Sequence, residues 1–357
     1  MKYIVIAVSI CTAFLFVIAT PRTEGFSNSK KIGVIGSKKV VHVMNVRPVV
    51  PHLALALRPH VRQWIANVPL TPFTAPLVKL PPIKDIPRFL VYNPTMLSPV
   101  RNQGDCGACW AFAVCDTLAD RALIQTRGRF RGSLSVQQLL SCFAPEGCDG
   151  ESPELAVEWM MQRQVRLVSE KSLGYSQYSG RPAPPCKSIP KNGLVGAEPG
   201  SMRSLVTYID EEGYDPNILA ENIANMKREL VTGGPFYCAM AVYDDLFTFS
   251  GTEIYRKRPG ATLIGGHAIE VIGYADRDED PRDGFREPHW ICRNSWGKNW
   301  PLESQPDGYF MIAMGENACG IESRCGFAEP IVTPLALTYP SSPLSQIRAT
   351  SFREYVE

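Results

Sequence analysis

The stretch GDCGACWAF, residues 104–112, places two cysteines three positions apart and follows the second one with tryptophan. A C-x-x-C pair can be a redox dithiol or half of a zinc site. Apolar residues recur at helical spacing from Cys109 to Leu123, which predicts a helix that begins near Cys109 and ends before Gly128. A cysteine at the start of a helix has backbone amides beside its sulfur, and these favour the reactive thiolate.

The whole chain has 357 residues, a net charge of +2 and 45% hydrophobic residues. This length suits one domain of about 200–250 residues with extensions. The charge is too small to indicate nucleic acid as a partner. Lys2 and the apolar run 3–19 are typical of a signal peptide, which we assign to residues 1–20. The alternative is an anchor that stays in the membrane, but the run is at the lower limit for spanning, so we expect no stable span after cleavage.

Three further segments follow the signal peptide. Residues 21–85 are basic and cysteine-free and carry His42, His52 and His60, which favours a pro-region; a disordered linker is the alternative. Residues 86–330 form the globular part. Residues 331–357 are rich in proline and serine, and we expect a flexible tail. Entry into the secretory pathway makes disulfides the first expectation for the cysteines.

The periodicity changes along the globular part. Helices are predicted from the N-caps Ser135, Ser152 and Asp215, the last of them ending at Gly233. Four short β-rich runs follow: FYCAMAVY, HAIEVIGYA, HWICRNSW and GYFMIAM. Helices first and strands second predict an α+β fold with two lobes.

A nucleophilic thiol needs a base, and the globular part holds two histidines, His267 and His289. His267 follows two glycines at the start of a strand. Asn294 is an amide that could orient an imidazole, as in the Cys–His–Asn arrangement of thiol proteases. Gln103 could donate to an oxyanion beside the backbone amide of Cys109. We interpret His289 as a strand-end residue without a catalytic role.

Five motifs in order (QGDCGACWAF, GCDG, GGHAIEVIGY, NSWG and CGIES) resemble the papain-like cysteine proteases, and among them the cathepsin B-like branch. The resemblance covers about residues 86–330. It implies a two-lobed papain-like fold, with a helical N-terminal lobe, an antiparallel β-barrel-like C-terminal lobe and the active-site cleft between them. It also implies a cysteine endopeptidase with polypeptide substrates, a zymogen inhibited by its own pro-region, and no cofactor or metal.

The resemblance assigns roles residue by residue. Cys109 is similar to the nucleophile, His267 to the general base and acid, Asn294 to the orienting amide and Gln103 to the oxyanion donor. Trp296 resembles the indole that shields the His–Asn contact. The remaining implied substrate-binding residues are Gly150, Glu151, Ser152, Pro153, Ala239, Gly266, Ala268 and Arg324. The implied disulfides are Cys106–Cys148 and Cys142–Cys186.

The other cysteines and three departures from the family pattern stay open. Apart from Cys11 in the signal peptide and the nucleophile Cys109, five cysteines (Cys115, Cys238, Cys292, Cys319 and Cys325) remain after these pairs, so at least one is free. Glu151 stands where the family has a second glycine, and Arg324 stands where the cathepsin B-like branch has a glutamate at the end of the S2 pocket. The segment 170–204 contains no histidine, unlike an occluding loop that trims dipeptides.

Three alternatives to an active protease remain at this point. The C-x-x-C pair could be a redox dithiol of the thioredoxin type. Cys106, Cys109, Cys142 and Cys148 could form a zinc site. A catalytically inactive papain-fold binding protein is the third, although no catalytic position is substituted. The localisation expected in every case is the secretory pathway, ending in a lysosome-like compartment or outside the cell.

Overall fold

The computed structural model of the chain describes residues 69–84, 86–177, 183–210, 214–276, 287–301 and 307–338. The signal peptide, the pro-region up to residue 68 and the tail from residue 339 lie outside the described residues. Among the described residues, no helix is both long enough and apolar enough to cross a membrane.

Helix α1 (Cys109–Gln125) is the central element, and it begins and ends where the sequence predicts. Its residues from Cys109 to Leu123 are all buried, the charged side chains of Asp116 and Asp120 included. A helix that is enclosed on all sides carries polar groups only where they find partners inside the protein. Asp116 pairs with Arg101, and Asp120 pairs with Arg293.

The other helices begin at the caps that the sequence predicts. The side chain of Ser135 accepts a hydrogen bond from the amide of Gln138 at the start of α2, and Ser152 and Asp215 cap α3 and α4 in the same way. Leu155 of α3 is 46% exposed. The bounds are α2 Val136–Cys142, α3 Pro153–Gln162 and α4 Pro216–Thr232.

Seven of the ten strands found among the described residues form one antiparallel sheet. Its path is β4-β9-β5-β6-β7-β8, and β1 also pairs with β6. This path does not close on itself within the described residues, so the barrel-like lobe that the resemblance implies is an open sheet. The bounds are β1 Phe89–Val91, β2 Arg166–Leu167, β3 Val195–Ala197, β4 Arg203–Ser204, β5 Phe236–Tyr243, β6 Leu263–Ala275, β7 His289–Arg293, β8 Tyr309–Ala313, β9 Cys325–Phe327 and β10 Pro330–Val332.

The other three strands form a small sheet in the order β10-β3-β2, beside the helices. The flexible tail was expected to begin at residue 331, and this was wrong. Strand β10 extends to Val332 and is followed by a short helix α5 (Pro334–Leu337). The amide of Thr333 donates to the carbonyl of Leu194 at 2.9 Å, and Ala336 is fully buried. Residues 331–338 therefore belong to the folded domain.

The helical and sheet lobes meet around a buried ionic cluster. The guanidinium of Arg293 on β7 pairs with Asp120 of α1 at 2.7 Å and with Glu270 of β6, and Asp116 of α1 lies 3.8 Å away. Arg293, Asp120 and Glu270 are each at most 2% exposed. Burial raises the pKa of Glu270 well above its ordinary value, while Arg293 opposes the rise.

Three disulfides are present among the described residues. Cys106–Cys148 and Cys142–Cys186 are the two that the resemblance implies, and Cys238–Cys325 is a third that the sequence did not reveal. The third joins cross-strand partners of β5 and β9. The free thiols of the described chain are Cys109, Cys115, Cys292 and Cys319.

Candidate active site

Cys109 is the first residue of α1, and the loop before it is fixed by two contacts with Cys148. The neighbouring Cys106 is bonded to Cys148, and the amide of Gly107 donates to the carbonyl of Cys148 at 2.8 Å. Because Cys106 already has this partner, the C-x-x-C motif is not a dithiol pair. The same disulfides remove the zinc site, and the described residues contain no cluster of three or more His, Cys, Asp or Glu side chains that could hold a metal.

His267 lies in β6 and is oriented by an amide from the end of β7. Its Nε2 is 2.8 Å from Oδ1 of Asn294. An amide oxygen only accepts hydrogen bonds, so the neutral imidazole carries its proton on Nε2 and leaves Nδ1 free to accept one. Nδ1 is buried and has no hydrogen-bond partner within the described chain.

An aromatic cover shields the His–Asn contact. The ring of Trp296 lies with its centroid 4.8 Å from that of His267. Phe247 stacks on the same indole at 5.3 Å, and Trp300 meets it edge-on at 4.8 Å. The sequence pointed to Trp296 alone, because Phe247 and Trp300 reach this place only through the folded loops.

The thiol of Cys109 and the imidazole of His267 come from different lobes but meet through one backbone amide. The backbone amide of Ala268, which follows His267 directly, faces the sulfur of Cys109 and lowers the pKa of the thiol. The amides of Trp110 and Cys109, at the start of α1, also face this sulfur. The structure thus brings together Cys109, His267 and Asn294, three of the four residues that the sequence proposed for catalysis.

The ionisation of the pair differs from the expectation of a lowered thiol pKa. Burial raises the pKa of Cys109 to about 12, and the three backbone amides only partly oppose it. Burial likewise lowers the pKa of His267 to about 4, against the hydrogen bond that its Nε2 donates to Asn294. Both side chains are 0% exposed. In this conformation the two groups are therefore a neutral thiol and a neutral imidazole.

Gln103 is held in place by two residues that the sequence did not suggest. Its Oε1 accepts from the hydroxyl of Ser295 at 2.7 Å, and its carbonyl accepts from the hydroxyl of Tyr175 at 2.7 Å. Its Nε2 donates to the carbonyl of Cys106 at 2.9 Å. A primary amide has two N–H groups, so one remains for a ligand.

The proposed substrate-binding residues lie in two parts of the fold, one group at the start of α3 and the other on the large sheet. Gly150 adopts φ of 101°, which favours glycine, and leads into the start of α3. The carboxylate of Glu151 accepts from the amide of Ser152 at 2.7 Å, and Pro153 is the first residue of α3. On the sheet side, β5 and β6 place Ala239 opposite Ala268 and Ala241 opposite Gly266, and the amide of Ala239 donates to the carbonyl of Arg324 at 2.8 Å.

The segment 69–84 lies against the same domain in an extended form. The carboxylate of Glu154 accepts from the amides of Thr74 and Ala75 at 2.9 and 3.1 Å. Asn225 accepts from the amide of Leu80 and donates to the carbonyl of Val78.

Two contacts connect this segment to β4 and β5. The amide of Val78 donates to the carbonyl of Ser204 at 2.9 Å, at the β4 edge of the large sheet. Phe73 packs against Tyr237 with ring centroids 5.9 Å apart. Most of the polar contacts of the segment involve its backbone.

His289 is placed away from this site. It is 2% exposed at the first position of β7, and its Nδ1 lies 2.8 Å from the carbonyl of Glu287. Strand β7, in which Trp290 and Cys292 lie two positions apart, ends at Arg293. Asn294 therefore stands just after the strand.

Comparison with known proteins identifies the family. The sequence model of the papain family cysteine proteases matches residues 89–328, and the chain belongs to that family. It is 30% identical over 233 residues to a gut-specific cysteine proteinase of Caenorhabditis elegans, covering 63% of this chain and 66% of that protein, just under two thirds. It is 29% identical over 250 residues to cathepsin B-like cysteine proteinase 5 of the same organism, covering 64% and 69%.

Solved structures show the same fold. The chain is similar to procathepsin B S9 of Trypanosoma congolense, with a TM-score of 0.59, 23% identity and coverage of 76% of this chain and 88% of that one. It is also similar to digestive procathepsin L 3 of Tenebrio molitor, with a TM-score of 0.53, 23% identity and coverage of 78% of each chain. The papain-like α+β fold expected from the sequence is confirmed.

Proposed function

We propose that this chain is a cysteine endopeptidase, made as a zymogen in the secretory pathway, that hydrolyses peptide bonds through an acyl-thioester at Cys109. The single observation that carries the proposal is that Cys109 of one lobe lies together with His267 and Asn294 of the other. Asn294 holds Nε2 of His267 at 2.8 Å, and the amide of Ala268, the residue after His267, faces the sulfur of Cys109. This arrangement suits nucleophilic catalysis by a thiol.

The first half of the reaction is the attack of the thiol. Nδ1 of His267 takes the proton from Cys109, and the resulting sulfur forms a bond to the carbonyl carbon of the peptide. The oxyanion that develops accepts hydrogen bonds from the amide of Cys109 and from the free N–H of Gln103, which Ser295 holds in place. His267 then gives its proton to the leaving amine, and the acyl-thioester remains.

The second half returns the enzyme to its starting state. A water molecule enters in place of the amine and loses a proton to Nδ1 of His267. Its oxygen attacks the thioester carbonyl, and the second tetrahedral intermediate collapses to a carboxylic acid while the sulfur of Cys109 regains its proton. Trp296 keeps bulk water away from the bond between His267 and Asn294 throughout, which preserves the orientation of the ring.

The pro-region 21–85 acts as the inhibitor of the enzyme before activation. The backbone contacts of residues 74 and 75 with Glu154, and of Leu70 with Arg324, support this role, because Glu154 follows Pro153 directly and Arg324 is itself assigned to substrate binding. Three disulfides support a secretory route, since such bonds persist in oxidising compartments. Endopeptidase action is favoured over dipeptide trimming by the absence of histidine from the sequence segment 170–204.

Labelling with an epoxide inhibitor of thiol proteases tests the proposal. The full chain is treated before and after exposure to acid, and incorporation and peptide hydrolysis are measured together. We expect label on Cys109 and activity after acid treatment, and neither in the Cys109→Ala variant. A chain that binds peptides but never takes up the label would instead be an inactive papain-fold binding protein, and our proposal would be wrong.

A further inference from the structure

Arg324 is a buried guanidinium without a carboxylate partner. It is 8% exposed, and no carboxylate oxygen of the described chain lies within 4.0 Å of it. Its Nε donates to the carbonyl of Leu70 at 2.7 Å and its Nη2 to the hydroxyl of Tyr208 at 3.1 Å. The carboxylate of Glu151 accepts a hydrogen bond from the amide of Ser152.

A carbonyl and a phenol supply dipoles but no negative charge. Moving a permanent cation out of water is costly unless an anion or several hydrogen bonds replace the water. Tyr208 also lies under the guanidinium carbon at 4.9 Å from its ring centroid, which fixes the direction of the side chain. The arginine is therefore prevented from bending freely into solvent, and its charge remains available to a ligand.

The space beside Arg324 can admit such a ligand. A cavity of about 750 Å³ is lined by Arg324, Tyr208, Leu70, Gly320 and Ala241, among others. Ala241 is opposite Gly266 in the sheet, one position before His267. The cavity therefore reaches the strand that carries the proposed catalytic base.

The distance from the thiol suits a substrate side chain. Sγ of Cys109 contacts the amide of Ala268, Ala268 pairs with Ala239, and Ala239 bonds the backbone of Arg324. Two strand spacings of about 4.8 Å separate Ala268 from Arg324, about 10 Å in total. Two extended residues span about 7 Å. The side chain of the second residue before the cleaved bond spans the remaining distance to Arg324.

From this geometry we infer that Arg324 binds the carboxylate of an aspartate or glutamate side chain two residues before the cleaved peptide bond. This inference rests on the proposed peptidase function and names its substrate class. The planar guanidinium offers paired N–H groups that match a carboxylate. The carbonyl of Leu70 holds one of these groups until the segment 69–84 is displaced.

Matched peptides test this inference on the acid-treated full chain. Fluorogenic substrates that differ only at this second position carry glutamate, its uncharged isostere glutamine, leucine or arginine. We expect kcat/KM for glutamate to exceed that for glutamine at least about tenfold. The Arg324→Gln variant should bring this ratio near one, and Arg324→Glu should make arginine the preferred residue over glutamate.

Arg256→Gln is the matched control. Arg256 lines the same cavity, but it is already paired with Glu287 and Glu316, so its loss should leave the glutamate-to-glutamine ratio unchanged. Lowering the pH through about 4.3 protonates the substrate glutamate and should abolish its advantage without changing the rank of glutamine and leucine.

The outcomes separate the two proposals. Uptake of the epoxide label with a glutamate-to-glutamine ratio of one or below overturns the role of Arg324 alone. Failure to take up the label and to cleave any peptide of the series overturns the peptidase function itself. An unchanged ratio in Arg324→Gln would also contradict the inference, and the labelling stoichiometry of that variant shows whether it is folded.

Discussion

Arg293 and Arg324 are both buried guanidinium groups, but their surroundings differ in charge. Arg293, between the lobes, has Asp120 and Glu270 in direct contact and Asp116 at 3.8 Å. Arg324, beside the cavity, has a carbonyl and a phenol. A buried cation whose charge is fully matched holds the fold together, whereas one whose charge is unmatched is suited to binding. The same residue type thus has a structural role in one region and a recognition role in the other.

The largest effect should come from removing the matched cation. Arg293→Met leaves buried carboxylates of α1 and β6 without their partner, so we expect a loss of about 3–5 kcal/mol in the free energy of unfolding. Urea denaturation in a Cys109→Ala background, which prevents self-digestion, measures it.

Arg324→Met is the natural counterpart, because it removes an equally large side chain but strands no opposite charge. We expect it to change the free energy of unfolding by no more than about 1 kcal/mol. Equal losses in the two variants would break the comparison between the two arginines.

His267 sharpens the comparison, because a buried imidazole can lose its proton and become neutral, whereas a guanidinium stays charged. Its pKa is lowered by burial from 6.5 to about 4, so the unfolded chain binds a proton at a pH where the folded chain does not. Its contribution to stability is present above pH 6.5 and is lost as the pH falls towards 4, by about 3 kcal/mol in total.

The His267→Gln variant, in the same Cys109→Ala background, lacks this titration. Its free energy of unfolding should therefore fall less between pH 7 and pH 4 than that of the parent, by about 3 kcal/mol. Parallel pH profiles for the two proteins would show that His267 is not held neutral by burial.

Glu154 is the anionic counterpart of Arg324, and its effect should also be small. Its carboxylate is bound by the amides of Thr74 and Ala75, and it has no cation within 4.0 Å in the described chain. Glu154→Gln keeps one acceptor oxygen but loses the charge, which should cost about 1 kcal/mol and speed amide hydrogen exchange at residues 74 and 75.

The matched control is Glu158→Gln on the same helix, whose side chain is partly exposed and bonds Gln162. We expect it to leave the exchange at residues 74 and 75 unchanged. Faster exchange in both variants would mean that α3 as a whole, rather than one carboxylate, holds the segment.

Local features of the fold could be predicted from the sequence, because their causes lie within a few residues. The starts of α2, α3 and α4 follow from Ser135, Ser152 and Asp215, whose side chains bond amides two or three positions away. The start of α1 at Cys109 and the strand β5 were located in the same way.

Features that depend on distant pairing could not be predicted. The Cys238–Cys325 disulfide requires β5 and β9 to be neighbours, although 87 residues separate the two cysteines. The support that Ser295 gives to Gln103, and Tyr208 to Arg324, joins positions that are likewise far apart in sequence. The thiol pKa of Cys109 was expected to fall at a helix start, but burial, which no local pattern reports, outweighs the amides.

The short strand and helix after residue 329 have a practical consequence for anyone shortening the gene. A stop codon placed after Pro330, where the composition changes, would delete β10 beyond its first residue and all of α5. It would remove the buried methyl group of Ala336 and leave the carbonyl of Leu194 without its donor. Trimming should therefore spare every codon up to Thr338, and a purification tag belongs after that point.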